Sequence, residues 1–406
     1  MSARASRLVL GWLAGLHLQL ASNFQRLAYR TYLRLGATLL LTCAAGCSGR
    51  VSLGGSSNPD PGSLDPSAPP ATLYQFNQSL FGAFDIAVDE TFIYLSTNAP
   101  DGPSVHRCHK NNCAATMTRV AGPFCEGCRY DRIAAVGGAL GLVHLFGQAS
   151  RSPTYIDTCT RPDCSDARRF IDRLTAFAPT VVVAFDESQA FWGGGDLNIY
   201  NCSFPSCTDG PRVFASGVSQ VRSLATTQNW VYWFETTGPL VRKRKDGSST
   251  NVPLELGAVL SRDPGLPPDA GRAIPDPFAT GQFAFDATWI YALAASMDAE
   301  ASCGSISSPC LIARWPHEGG AREVILKDSR GIASQGNAPL RIFQHNLVFT
   351  VDQTYTCDPD DCTTTRRSIG PADPSVMASD SDYLYWCTTP QQGGFGALQR
   401  QARIRR

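Results

Sequence analysis

The most constraining feature of the 406-residue chain is a strand–turn–strand pattern that occurs seven times. Each copy has a small or apolar residue, a polar turn and a run of β-branched or aromatic residues, which predicts two strands joined by a tight turn. The copies begin at Ala87, Ala135, Ala184, Ala225, Ala284, Ile342 and Ala378. Their starts lie 36 to 59 residues apart, a period typical of a four-stranded propeller blade. We therefore predict an all-β fold, a seven-bladed β-propeller of four-stranded antiparallel blades.

The two ends of the repeat region predict how the ring closes. The last copy stops at LQRQARIRR, which supplies a third strand and leaves no fourth. The segment TLYQF at Thr72 precedes the first blade and has no blade of its own. We expect Thr72–Phe76 to pair with the last strand, around Gln399–Ile404, because a ring closed in this way hides its open edges. The propeller then spans residues 72–406.

Fifteen cysteines are too many for a typical cytosolic protein, and eight of them form four C-x4-C pairs. Each pair straddles the predicted outer hairpin of a blade, where facing residues are close enough for a disulfide that would stabilise the outer edge. The expected disulfides are Cys108–Cys113, Cys159–Cys164, Cys202–Cys207 and Cys357–Cys362. We also expect Cys303–Cys310 and Cys125–Cys128 to close loops, and Cys387 is left over. Zinc is the alternative for such spacings, but pairs on different blades cannot converge on one ion.

The first 47 residues have an export pattern. Arg26, Arg30 and Arg34 precede the apolar run LGATLLLTCAAGC, which is too short to cross a membrane comfortably. Its end, AAGC, resembles a bacterial lipobox, which implies lipidation of Cys47. A plain signal peptide, an uncleaved anchor or a start codon placed too far upstream are the alternatives. We predict a signal peptide over 1–46 and, because residues 47–71 are rich in Gly, Ser and Pro, a disordered tether.

The dipeptides Tyr232–Trp233 and Tyr385–Trp386, each after a polar turn, resemble those of the YWTD and TolB-like propeller group. The chain is also similar to secreted bacterial propellers with paired cysteines. The resemblance implies a propeller over about Thr72–Arg406, and the leader predicts an exported protein, at the outer membrane, the cell surface or the periplasm. It implies no single activity, because function resides in sites rather than folds.

No catalytic motif is present: the chain has no GxSxG elbow, HExxH helix, Walker loop or GxGxxG after a strand. The balanced charge, 35 basic and 35 acidic residues, gives no reason to expect a nucleic-acid partner. The carboxylates of Asp358, Asp360 and Asp361 in CDPDDC are compatible with calcium, but Asp and Pro are also favoured in plain turns, which we expect here. We predict no cofactor and no metal. The strand aromatics are interpreted as packing between blades: Tyr94, Phe191, Tyr232, Tyr291, Phe349 and Tyr385.

One asymmetry indicates a binding face. The turns between first and second strands and between third and fourth strands are short and lie on one face of the predicted propeller. The long segments, 147–153, 255–280, 296–310, 327–338 and 388–396, would all lie on the opposite face. Binding usually resides in variable loops on a rigid scaffold, although neutral insertion is the alternative. At the centre of that face the inner strands begin near Asp85, Arg132, Arg222, Gln282 and Arg341, which could receive an anionic group.

These observations predict an exported, lipid-anchored module at the cell surface or in the periplasm. We expect it to bind a protein, peptide or glycan without catalysis. The alternative is a propeller enzyme, a lyase or hydrolase that acts on a glycan or lactone. Such an enzyme would need a carboxylate–His or metal cluster at the central channel.

Overall fold

A computed structural model describes the folded part of the chain. The described residues are 70–77, 83–99, 102–122, 128–146, 154–174, 182–193, 196–218, 221–235, 240–253, 283–295, 310–319, 323–328, 340–343, 345–350, 353–370, 374–388 and 396–402. All of them belong to one compact unit, Pro59–Arg406. The predicted signal peptide, Cys47 and all but the last two residues of the tether lie outside the described residues.

The described residues form 28 strands in seven four-stranded antiparallel sheets, which confirms the seven-bladed β-propeller. Blade 1 contains β2 (Ala83–Val88), β3 (Phe92–Ala99), β4 (Gly102–His109) and β5 (Thr118–Ala121); blade 2 contains β6 (Cys128–Val136), β7 (Ala139–Phe146), β8 (Thr154–Cys159) and β9 (Arg168–Leu174); blade 3 contains β10 (Val182–Phe185), β11 (Gln189–Gly193), β12 (Asn198–Ser203) and β13 (Arg212–Ser216). Blade 4 contains β14 (Val221–Thr226), β15 (Trp230–Glu235), β16 (Leu240–Arg244) and β17 (Val252–Pro253); blade 5 contains β18 (Phe283–Phe285), β19 (Trp289–Ala295), β20 (Cys310–Pro316) and β21 (Glu323–Asp328). Blade 6 contains β22 (Arg341–Phe343), β23 (Asn346–Thr350), β24 (Thr354–Cys357) and β25 (Arg367–Gly370); blade 7 contains β26 (Pro374–Ser379), β27 (Tyr383–Thr388), β28 (Ala397–Ala402) and β1 (Ala71–Gln75).

The N-terminal strand closes the ring, as predicted. Strand β1 pairs antiparallel with β28, and the register places Thr72 opposite Gln399 and Gln75 opposite Ala397. One residue later, the backbone N–H of Phe76 donates to Gly396 O at 2.9 Å, and the Phe76 side chain is buried. The first and last segments of the propeller therefore share the outer half of blade 7.

The inner strand of each blade is its first strand. Strand β2 contacts the inner strands of both neighbours, β6 and β26, and β10 contacts β14. Because each sheet is a simple meander, the first-to-second and third-to-fourth turns lie on one face. The five long segments predicted for the opposite face join strand ends on that face, as the strand bounds confirm.

An aspartate fixes the first turn in four blades. In blade 1, Asp89 Oδ1 accepts hydrogen bonds from the backbone N–H groups of Thr91 and Phe92, both at 2.7 Å, while Oδ2 accepts from Tyr94 Oη at 2.8 Å. Blades 5 and 7 repeat all three contacts, and blade 3 repeats the two backbone contacts. The acid both builds the turn and satisfies a tyrosine hydroxyl between blades.

The register of blades 2 and 6 differs from the predicted alignment by one residue. In blade 1, Ala87 of the first strand pairs with Tyr94 of the second. The residues that occupy the position of Ala87 in blades 2 and 6 are Ala134 and Arg341, whereas the sequence pattern predicts Ala135 and Ile342. In blade 6 the partner of Arg341 is Val348, so the predicted aromatic, Phe349, stands one place further along. Neither blade has the turn aspartate or the tyrosine, and without them the pattern does not fix the register.

Seven apolar clusters fill the interfaces between neighbouring blades in the described structure. Between blades 1 and 2, for example, Tyr94 and Val105 pack against Ile133, Leu140 and Leu142. The predicted packing role of the strand tyrosines is confirmed, because Tyr94, Tyr232, Tyr291 and Tyr385 are all buried in such interfaces. Two lysines add inter-blade ion pairs of 2.5 Å: Lys110 of blade 1 with Asp380 of blade 7, and Lys245 of blade 4 with Asp186 of blade 3.

The four C-x4-C disulfides are present, but they are core elements rather than staples of an exposed edge. The first cysteine of each pair is the last or the second-to-last residue of the third strand. In blades 1 and 6 the second cysteine begins a single helical turn, α1 (Cys113–Thr116) and α2 (Cys362–Thr365), instead of the fourth strand. Each bridge packs into an inter-blade cluster, so it completes the core between blades. The side chains of the other expected pairs, Cys303–Cys310 and Cys125–Cys128, lie outside the described residues.

The closure of the ring makes a testable prediction. A protein that begins at Ala71 should keep the full-length melting temperature, because β1 and Phe76 are intact. A protein that begins at Gln78 loses β1 and the buried Phe76 ring, whose removal alone costs about 3 kcal/mol. It should melt at a lower temperature and associate through the exposed edge of β28. Thermal unfolding and size-exclusion chromatography measure both effects, and identical behaviour of the two proteins would contradict the closure.

Candidate functional site at the central channel

Asp85 lies at the start of the inner strand of blade 1. A β-bulge between Ala83 and Asp85 bends β2 at this point. The carboxylate points toward blade 2, where its Oδ2 accepts a hydrogen bond from the backbone N–H of Ile133 at 2.8 Å. Because bulges re-aim side chains and recur beside functional sites, the local backbone is consistent with a recognition role.

Arg341 occupies a position that is alanine in the other six blades. The equivalent residues, identified by their strand-two partners, are Ala87, Ala134, Ala184, Ala225, Ala284 and Ala378. Side chains at this position face the next blade, and Arg341 accordingly reaches blade 7. Its Nε and Nη2 donate to Met377 O at 3.4 and 3.3 Å, and its Nη1 donates to Leu340 O at 3.3 Å. These three bonds are long, and their acceptors are neutral backbone oxygens.

The charges of Asp85, Arg132 and Arg341 influence one another. Burial among the inner strands raises the pKa of Asp85 above its ordinary value, against the opposing effects of Arg132, the Ile133 N–H and Arg341. Burial likewise lowers the pKa of Arg341, although Asp85 acts in the opposite direction. A carboxyl group with a raised pKa beside two guanidinium groups is typical of a functional site.

The structure therefore groups three of the five predicted binding residues. Arg132 is exposed, and Asp85 and Arg341 are half-buried. The side chain of Arg222 and the whole of Gln282 lie outside the described residues, so their placement stays a prediction. Sequence reasoning missed Phe84, which is 39% exposed beside Asp85. It also predicted no position for Cys387, which is buried near Asp85: burial and the charge of Asp85 both raise the pKa of its thiol.

The aspartates of CDPDDC have structural partners. Asp361 caps α2 by accepting from the backbone N–H of Thr364 at 3.3 Å, and Asp358 accepts from the N–H of Asp360 at 3.0 Å. Asp360 forms an ion pair with Arg314 of blade 5 at 2.6 Å. Among the residues that the structure describes, no group of three His, Cys, Asp or Glu side chains is placed to hold a metal ion.

A carboxylate–histidine pair does occur, but inside blade 2 rather than at the channel. His144 Nε2 lies 2.9 Å from Asp157 Oδ2, and Arg169 Nε lies 2.5 Å from Asp157 Oδ1. His144 and Asp157 are 2% and 4% exposed, which leaves no room for a substrate at their contact. The three residues stand on β7, β8 and β9, so the cluster ties three strands of one blade together.

The cluster gives blade 2 a defined acid sensitivity. Burial acts to raise the pKa of Asp157, but His144 and Arg169 together outweigh it and hold that pKa below its ordinary value. A group with a lowered folded-state pKa stabilises the protein above its unfolded-state pKa, about 4, and loses that contribution as the pH falls further.

Replacement of Asp157 should therefore be costly at neutral pH. Asp157→Asn leaves the buried His144 and the partly exposed Arg169 without their buried counter-charge and should lower the free energy of unfolding at pH 7 by about 3 kcal/mol. The loss of stability below about pH 4 should be smaller than in wild type. The control is Asp209→Asn, whose exposed ion pair with Arg212 is worth at most about 1 kcal/mol. Urea unfolding across pH measures both, and an Asp157→Asn protein as stable as the control would contradict the interpretation.

No helix in the described part of the chain is long and apolar enough to span a membrane. The four disulfides are typical of an oxidising compartment, which indicates an extracytoplasmic protein.

Comparison with known proteins supports the fold alone. No family model matches the sequence, and no curated protein matches it. Among solved structures, an oligogalacturonate lyase in complex with manganese has a TM-score of 0.50 at 8% identity and covers 83% of this chain and 97% of its own. A chain of a mitotic checkpoint complex has a TM-score of 0.50 at 10% identity and covers 84% of this chain and 96% of its own. BamB from Moraxella catarrhalis has a TM-score of 0.45 at 10% identity and covers 79% and 85%. At these identities the likeness supports the fold and no particular activity.

Proposed function

We propose that the chain is an extracytoplasmic binding module whose ligand presents an anionic group at the central channel. Arg341 is the observation that carries the proposal. Alanine occupies the equivalent position in the other six blades, so nothing in the blade architecture requires a large cation at this position of blade 6. The half-buried guanidinium bonds neutral backbone oxygens in the described part of the chain and is offset only by the charge of Asp85, so an anionic ligand would offset the remaining cost of its burial.

The balance of charge at the site supports an anion. Arg132 and Arg341 contribute two positive charges, and Asp85 contributes at most one negative charge. Arginine also presents a planar set of donors that matches the two oxygens of a carboxylate. The long loops that begin and end on this face would surround the bound ligand, which we expect to be part of a protein, a peptide or a glycan.

An enzymatic function is the second candidate, and the raised pKa of Asp85 favours it. A carboxyl group whose pKa burial raises, beside two arginines, is suited to act as a general acid on a glycan or lactone. The carboxylate–histidine pair of blade 2 is too deeply buried to assist it. Incubation with oligogalacturonate, with and without Mn²⁺, separates the two candidates, because a binding module leaves this glycan intact and a lyase cleaves it.

Acetate is the simplest probe of the anion site. Wild-type protein should bind acetate near Arg341, seen as changes in the NMR signals of the arginine side chains. Arg341→Met keeps the length of the side chain without its charge and should weaken acetate binding at least tenfold. Arg212→Met, on the exposed outer strand of blade 3, is the matched control and should bind like wild type. Equal acetate binding by all three proteins would overturn the proposed site.

We further propose that Cys47 carries a lipid that holds the module at the outer membrane or cell surface. The proposal rests on the basic and apolar leader, the AAGC sequence and the Gly-, Ser- and Pro-rich segment that follows. Cys47→Ser should move the protein from the membrane fraction to the soluble fraction on cell fractionation. Replacement of Cys43, four residues earlier, is the control and should leave the protein with the membranes. A Cys47→Ser protein that stays membrane-bound contradicts the lipid anchor.

A further inference from the structure

Phe84 is an exposed aromatic ring on the inner strand of blade 1. Four large apolar side chains are exposed in the described structure: Phe84, Leu197, Val213 and Val324. Phe84 is the one aromatic residue among them, and it is directly followed by the half-buried Asp85. A Phe with 39% of its surface exposed beside a charged side chain could contact a ligand, because rings beside charged side chains are common in ligand sites.

The backbone around Phe84 is built differently from a plain strand. The bulge in β2 makes Phe84 the extra residue, without a partner on β3. Equivalent bulges stand at Asp131, Arg222 and Ser375 on the inner strands of blades 2, 4 and 7. Four inner strands thus have a backbone bulge at the same position of the repeat. Bulges of this kind bring side chains to functional sites at a cost in strand pairing.

We infer that the ligand of this site is a sugar acid, in which one ring carries both hydroxyl groups and a carboxylate. The inference rests on the proposed function and adds the chemical class of the ligand. The carboxylate would bind the guanidinium groups of Arg341 and Arg132. The hydroxyl groups would donate to Asp85, and the apolar C–H face of the ring would stack on Phe84.

A sugar acid accounts for Asp85 and Phe84 better than a peptide carboxy-terminus does. An acceptor carboxylate beside an anion site repels a ligand that offers only negative charge. Asp85 becomes favourable when the same ligand also carries hydroxyl donors close to its carboxylate. A pyranose ring supplies several hydroxyl donors and a flat apolar face within one small unit, whereas a peptide carboxy-terminus supplies one backbone N–H near its carboxylate and no ring face.

Four probes separate the parts of this inference: glucuronate, glucose, acetate and N-acetylglycine. Glucuronate has ring and charge, glucose has the ring, acetate has the charge, and N-acetylglycine mimics a peptide terminus. Each is titrated by NMR against wild type, Phe84→Ala and Arg341→Met, with Val213→Ala as the control for loss of an exposed apolar side chain.

Wild type should bind glucuronate at least tenfold more tightly than acetate or N-acetylglycine, and glucose more weakly than glucuronate. Phe84→Ala should lower the affinity for glucuronate about tenfold and leave acetate binding unchanged, while Val213→Ala changes neither. Three results would each overturn the inference of a sugar acid. Glucuronate could bind no more tightly than acetate, its binding could be insensitive to Phe84→Ala, or it could bind more weakly than N-acetylglycine. In each of those cases, weaker acetate binding by Arg341→Met would leave the anion site itself standing. An affinity for acetate that is the same in Arg341→Met and in wild type would instead overturn the proposed anion site.

Discussion

The packing of each blade against the next is the interaction on which the whole structure depends. A four-stranded sheet pairs its strands internally, yet both of its faces are apolar and must be covered. Tyrosines on second strands, disulfides at the ends of third strands and alanines on inner strands together fill the space between blades. The last interface forms only when β1 joins β28, so the ends of the chain complete the same packing that the repeats provide elsewhere.

The requirement for close packing also creates the candidate site. Six alanines allow the inner strands to approach one another, and the one exception is a charged side chain, Arg341. Its guanidinium donates to Met377 O of blade 7 and interacts electrostatically with Asp85, which in turn accepts a backbone hydrogen bond from blade 2. Three neighbouring interfaces thereby contribute to a single polar group of residues. The site arises from a departure from the repeat, whereas the scaffold arises from the repeat itself.

The sequence predicted the scaffold more fully than the site. Repeat count, closing strand and four disulfides could be read because each recurs or has a counterpart elsewhere in the chain. The alignment of blades 2 and 6 could not be predicted from the sequence, since these blades lack the Asp and Tyr pair whose hydrogen bond fixes the register in blades 1, 5 and 7. The special position of Arg341 depends on that register, and it became visible only from strand pairing. His144 and Asp157 were missed because they lie thirteen residues apart on different strands and share no motif.

Titration of the Asp85 carboxyl carbon by NMR tests the electrostatic coupling at the channel most directly. In wild type its pKa should lie above the ordinary value for aspartate, because burial outweighs the two arginines. In Arg341→Met the pKa should rise further, because a nearby positive charge that favours the carboxylate has been removed. An Asp85 pKa at or below the ordinary value, or one that Arg341→Met leaves unchanged, would show that the two residues do not share a site.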